Sequence, residues 1–144
     1  MGFTRSFAKD YKFGKSEEAK SLPLLNSFFK TNLIHLEDPK APFDFENDIF
    51  AIEQKARTCT SKCYPTTLID YNKIENCSKP EYKLKECWLV FAFTDGLYGI
   101  QYSEQKFAPY ERRSEQFRDR IDKKAPLKLR IYIPIEDLTQ LNIS

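Results

Sequence analysis

The chain has little glycine, four residues in 144, and no Gly/Ser linker, internal repeat or low-complexity tract, so it reads as one continuous domain over 1–144. The glycine-rich phosphate loop, the G-x-S-x-G elbow and the H-E-x-x-H helix are all missing, which leaves nucleotide hydrolysis, serine hydrolysis and zinc proteolysis without support. There is one histidine, His35, which reads as structural; histidine-based hydrolysis is set aside with it. Long apolar runs are missing too. The longest, Trp88 to Phe93, is six residues against the ~20 that cross a bilayer, so no membrane partner is expected. The first residues do not lead into the 7–15 apolar residues typical of a secretory signal. The expectation is an intracellular protein of cytoplasm or nucleus, its own or a host's. Gly2 and Ser6 match the loose myristoylation pattern only in outline, with a bulky Phe3 between.

Four cysteines (Cys59, Cys63, Cys77, Cys87) lack the paired C-x2-C spacing of zinc knuckles and read as free thiols. What is abundant is apolar and aromatic surface, 41% and 15% of residues, enough for a packed core and incompatible with disorder. The net charge of +2 hides a segregation. From Glu37 to Glu53 six carboxylates face one cation, Lys40; from Lys106 to Arg130 nine Lys and Arg face four carboxylates. A cation-seeking stretch and a polyanion-seeking stretch share one small domain.

Periodicity and turn chemistry give a coarse order. Residues 1–13 read as a loose arm. Ser16 is a plausible cap for a helix to about Lys30, with Leu22, Leu25 and Phe29 buried and a kink at Pro23, or a restart near Ser21, expected. Leu33–Glu37 is a strand candidate. Asn47-Asp48 separates two strand candidates, Phe43–Glu46 and Ile49–Arg57. Thr66 or Thr67 caps a helix to about Cys77, and Asp95-Gly96 turns a hairpin between Cys87–Thr94 and Leu97–Ser103. Residues 106–124 are charged and read as helical, Lys128–Ile133 is a strand, and 135–141 a terminal helical turn. This order predicts an α/β (α+β) fold with a mixed sheet covered by helices.

With Asn47-Asp48 as a two-residue loop, Asp44 lies opposite Ala51 and Phe43 opposite Ile52, so Asp44, Glu53 and Lys55 share one face. Phe43, Phe45, Phe50 and Ile52 take the other, packed face. Two carboxylates a diagonal step apart repel, and a hard divalent cation held by oxygen answers that geometry as well as Lys55 does. A charged edge strand protected from pairing is the plainer reading of the same residues.

Asp44 followed by Glu53-Gln54-Lys55 resembles the D-x(n)-(D/E)-x-K core of the PD-(D/E)xK, restriction-endonuclease-like nucleases. Phe13-Gly14-Lys15 with Glu17-Glu18, Tyr64-Pro65-Thr66-Thr67-Leu68-Ile69 leading to Lys73, and Phe93-Thr94-Asp95-Gly96-Leu97-Tyr98 also look like the small stand-alone members of phages and large DNA viruses. Pro42 stands one residue too early for a literal Pro-Asp pair. The resemblance, over about residues 12–103, implies an αβββαβ core with an extra hairpin and C-terminal strand, and Mg2+-dependent hydrolysis of DNA, Mn2+ substituting. It implies Asp44 and Glu53 as metal ligands with the Gln54 carbonyl, Lys55 as the catalytic lysine, and a helix acid, for which Glu18 on the buried stripe is preferred to Glu17. Arg57, Tyr64, Thr66, Lys73, Arg112 and Arg113 are the candidate nucleic-acid contacts, with RNA not set aside as substrate and a homodimer compatible with double-strand cutting. The alternative is a nucleic-acid-binding or interaction module that keeps the fold without turnover.

Overall fold

The structure is a computed structural model that describes residues 7–116 and 127–142. A helix, α1 (Phe7–Phe29), is followed by β1 (Ile34–His35), β2 (Phe45–Glu46), β3 (Phe50–Ala56), β4 (Thr66–Asp70) and α2 (Tyr71–Cys77). Then come β5 (Glu86–Phe93), β6 (Gly96–Gln101), a single-turn α3 (Glu104–Phe107), β7 (Arg112–Gln116), β8 (Leu127–Pro134), a 3-10 turn (Ile135–Asp137) and β9 (Thr139–Gln140).

Six strands form a mixed sheet in the order β1-β2-β3-β5-β6-β9, with β3 and β5 parallel and the other neighbours antiparallel. A second, antiparallel sheet has the order β4-β8-β7. Strand alternation sorts the core into layers. Even-numbered Phe50, Ile52, Val90 and Ala92 pack with Leu25 of α1, flanked by Leu22 and Phe29. Odd-numbered Leu89, Phe91 and Phe93 pack on the other face with Ile131 and Ile133 of β8, Ile69 of β4 and Ile74 of α2. Each such buried side chain contributes roughly 1.5–3 kcal/mol. The layers are therefore α1, the mixed sheet, then α2 with the small sheet, an α/β arrangement with a mixed central sheet.

Several expectations are corrected. Residues 7–13 belong to α1 rather than to an arm; residues 1–6 lie outside the description. The helix also runs through Pro23 without a break. Pro23 and Ala19, whose carbonyl loses its donor, are both exposed, so water can serve that carbonyl. Lys30, at φ 53°, ends the helix in the left-handed region, and the Thr31 amide closes back on the Asn26 carbonyl at 3.1 Å. The first hairpin pairs Phe45 with Ile52, two residues from the expected register, because the Asn47 side chain accepts from the amides of Ile49 and Phe50 (2.9 and 2.8 Å) and moves the turn to Asp48-Ile49. The backbone bends at Asp44, and Phe43 joins Ala51, Cys77 and Cys87 rather than Phe45.

Thr66 and Thr67 do not cap a helix. They open β4, whose β-branched Thr66-Thr67 and Ile69 suit the pairing with β8, and Asp70 stands at the helix start instead. The second hairpin pairs Phe93 with Gly96, so Thr94-Asp95 forms the turn and Gly96 takes φ 146°, a value that L side chains rarely adopt. In place of a helix over 106–124, the chain forms α3 and then β7; the remainder, 117–126, lies outside the described residues. The strand at Lys128–Ile133 extends to Leu127–Pro134 and belongs to the second sheet.

Candidate active site

The site forms where β2 ends beside β3. In β3 the odd-numbered backbone groups turn toward β5, as the Arg57 amide does toward the Ala92 carbonyl (2.9 Å). The even-numbered groups turn the other way: the Phe50 carbonyl accepts from Asn47 and the Ile52 carbonyl from the Asp44 amide. One step further along, β2 no longer supplies backbone, and the Asp44 side chain takes its place, its Oδ2 accepting the Gln54 amide at 2.8 Å. The Gln54 carbonyl is directed by the same alternation toward this edge.

Asp44 is thereby held at the seam between the two faces of the sheet. From the α2 face comes Glu53, buried, with the Lys73 ammonium 3.5 Å from its Oε2. From the α1 face comes Glu18, also buried, whose Oε1 lies 3.2 Å from Lys15 Nζ and 2.8 Å from His35 Nε2. Lys55 follows Glu53 on the same face and reaches solvent. The bend at Asp44 interrupts the strand alternation, so Glu53 and Lys55 share a face as expected, while Asp44 reaches them from the sheet edge through its bond to the Gln54 amide.

Electrostatics mark this cluster. Burial raises Asp44 to about 6, with the neighbouring Glu18 adding to it while the Gln54 amide and Lys15 pull the other way. Burial raises Glu53 further, to about 8, with Asp44 as the second cause and Lys73 and Lys55 opposing. Both carboxylates are short of positive charge. Lys55 is shifted down, first by the protein around its ammonium and then by Arg57, although the residue as a whole is exposed. Raised acids beside a lowered lysine are a combination that acid–base and metal chemistry uses.

The donor set fits a hard cation in kind: two carboxylates and one backbone carbonyl, all oxygen. Among the described residues no three His, Cys, Asp or Glu side chains gather as a metal group, so such an ion would rest on Asp44, Glu53 and the Gln54 carbonyl. The Gln54 side chain points the other way, toward α1, buried with neither amide atom bonded among the described residues.

The remaining candidates divide. Glu18, not Glu17, is the buried helix acid; Glu17 pairs with Lys20 at 3.0 Å. Lys73 reaches Glu53. Arg57 lies on the same face, but its guanidinium donates to Thr67 Oγ1 (3.3 Å) and to the Leu68 carbonyl and stacks on Phe91, tying β3 to β4. Tyr64 is exposed in the loop before β4, and Thr66 starts that strand opposite Pro134. Arg112 donates to the carbonyls of Ala108 and Tyr110 (3.2 and 2.9 Å) and closes the end of α3; Arg113 pairs with Glu111 and stacks 4.6 Å from the centre of Tyr132. Both belong to the small sheet, apart from the strands that carry the carboxylates. Sequence reasoning gave Lys15 and His35 no part in the site. The i,i+3 spacing of Lys15 and Glu18 was the available signal for the first; nothing local marks the second.

No protein-family model matches the chain, and no curated protein or solved structure matches it either. Functional inference therefore rests on the site itself.

Proposed function

We propose that the chain is a metal-dependent nuclease that hydrolyses phosphodiester bonds in DNA at the Asp44–Glu53–Lys55 centre, on a restriction-endonuclease-like core. The observation that carries this reading is the buried Glu53 and half-buried Asp44, both with raised pKa values, beside Lys55 at the exposed end of β3. The order α1-β1-β2-β3-α2-β5, with β5 parallel to β3, supports it; β4 is an insertion within that order.

Asp44, Glu53 and the Gln54 carbonyl would hold Mg2+ or Mn2+. A bound ion there supplies Lewis-acid polarisation of a phosphoryl oxygen and a more acidic water. Lys55 places an ammonium beside the charge that grows on the phosphoryl oxygens, and its lowered pKa brings proton exchange with the attacking water nearer to neutral pH. Water would lose a proton to solvent as it adds to phosphorus, the bond to the leaving oxygen would break, and that oxygen would take up a proton from solvent while the Lys55 ammonium faces the charged phosphoryl oxygens. Lys73 fixes Glu53, and the Gln54 amide fixes Asp44.

The test is cleavage of linear, circular, single-stranded and branched DNA with Mg2+ or Mn2+. Lys55→Ala should lower the rate roughly 10^2–10^3-fold while leaving the melting temperature unchanged. If neither DNA nor RNA is cut with either ion, and neither ion shifts the melting temperature, the proposal is lost. One observation favours a second reading: Lys73 and the Gln54 amide already give both acids partners from the protein. A binding module of this kind would bind DNA in a salt-dependent way without needing metal, and would not cut it.

A further inference from the structure

We propose that Lys15 and His35 occupy Glu18 in the place of a second divalent cation, so that the centre takes one ion per chain. The inference rests on the metal-centre reading above and goes beyond it in fixing the number of ions and the residues that set it.

Glu18 is buried, and a single oxygen, Oε1, lies within hydrogen-bond distance of two donors from different elements, Lys15 of α1 and His35 of β1. An ionised carboxylate only accepts, so His35 presents Nε2–H to it. Neither donor is loosely placed. Lys15 also donates to the Leu36 carbonyl at 2.9 Å and lies over the Tyr11 ring. The His35 ring stacks on Phe45 at 5.2 Å, and the two residues are cross-strand partners. Glu18 is thus satisfied by groups that the fold itself holds, on the far side of Asp44 from Glu53.

Charge balance points the same way. With its acids ionised, as metal binding requires, the centre has three negative charges from Glu18, Asp44 and Glu53 and three positive ones from Lys15, Lys73 and Lys55. One divalent ion with a phosphodiester leaves a small positive excess that a hydroxide can cancel. A second ion beside Glu18 would add two further charges next to the Lys15 ammonium, in a partly buried setting where repulsion is weakly screened. Lys15 and His35 are positioning residues in this scheme: they act on Glu18 and touch no reacting atom.

The experiment is Mn2+ titration by calorimetry, with electron paramagnetic resonance to detect coupled ion pairs. Wild type and Glu18→Gln should each take one Mn2+, with affinities within about threefold and no coupled signal. The double variant Lys15→Met/His35→Phe should take two and show the coupled spectrum. Two ions in wild type falling to one in Glu18→Gln would make Glu18 a ligand and overturn the proposal. So would a folded double variant that still takes one. Should the double variant not fold, the comparison of wild type with Glu18→Gln decides alone. No Mn2+ in wild type is a separate outcome, one that removes the metal-centre reading itself.

Discussion

Asp70 and the Asp44–Glu53 pair are acids of the same chemistry, on strands of adjoining sheets, and their protonation is pushed in opposite directions. Asp70 receives Arg130 Nε at 2.8 Å and has Lys128 at 3.5 Å. Burial works against it, but the Arg130 hydrogen bond and the two cations outweigh burial and hold its carboxyl below the usual range. Glu53 is buried and Asp44 half-buried, Asp44 adds its charge to the burial of Glu53 and Glu18 adds its own to that of Asp44, and the nearby lysines do not make up the deficit. One acid is a finished ion pair that belongs to the fold. The other two form an unfinished one, and the missing charge has the sign and hardness of a divalent cation.

The largest effect should come from completing the deficient pair artificially. Glu53 is raised from 4.5 to about 8, so the folded chain holds a proton that the unfolded chain releases across that interval. Its stabilising effect is present below about pH 4.5 and is lost as pH rises toward 8. Thermal melts of the metal-free protein should show Glu53→Gln gaining on wild type through this window, by roughly 3 kcal/mol at pH 8. Saturating Mg2+ should close the gap by stabilising wild type alone. Parallel curves for the two proteins across pH would show that the pair carries no electrostatic deficit.

Asp70→Asn sharpens the contrast from the other side. Its folded pKa is lowered, so its contribution exists above the ordinary carboxylate range and disappears as pH falls through the lowered value. The variant should lose roughly 2 kcal/mol at pH 7 by denaturant melt, because Arg130 is mostly buried and loses its charged acceptor. Below the lowered pKa the two proteins should melt alike, and Mg2+ should not restore the loss at pH 7. Restoration by Mg2+ would make Asp70 part of the metal centre.

How much of this contrast the residues announce depends on range. The shared face of Glu53 and Lys55 follows from alternation within β3, but Asp44 meets them through a bend and a bond to the Gln54 amide that hairpin parity does not predict. Glu18 follows from the helical stripe it shares with Leu22 and Leu25. Asp70 could not be placed, because its setting is made by a pairing with Arg130, sixty residues away, and Thr66-Thr67 carries a local cap signal that the pairing with β8 overrides. The bend at Asp44 was equally hidden: Phe43 looks like a continuation of the strand and instead fills the space between Ala51, Cys77 and Cys87.

Gln54 separates the two faces of β3 at a single residue. Its backbone serves the site, donating to Asp44, while its side chain is buried toward α1 with no bonded partner among the described residues. Gln54→Met keeps the backbone and the approximate volume and removes the unsatisfied amide. It should stabilise the protein by about 1 kcal/mol in denaturant melts, with cleavage unchanged. A loss of stability would mean that the amide is satisfied by an ordered water.

The last effect is expected on the small sheet, at Arg113. Its pair with Glu111 is exposed on both sides and its stacking on Tyr132 is a contact of similar size, so Arg113→Gln should cost no more than about 1–2 kcal/mol. Arg113 stands on a sheet face that it shares with its cross-strand partner Arg130 and with Tyr132. If DNA follows this face toward the carboxylate centre, the slope of log affinity against log salt should become shallower by about one, with a similar loss for every sequence tested. An unchanged slope would take DNA off this sheet and leave its basic residues to the fold, as Arg57 and Arg112 already are.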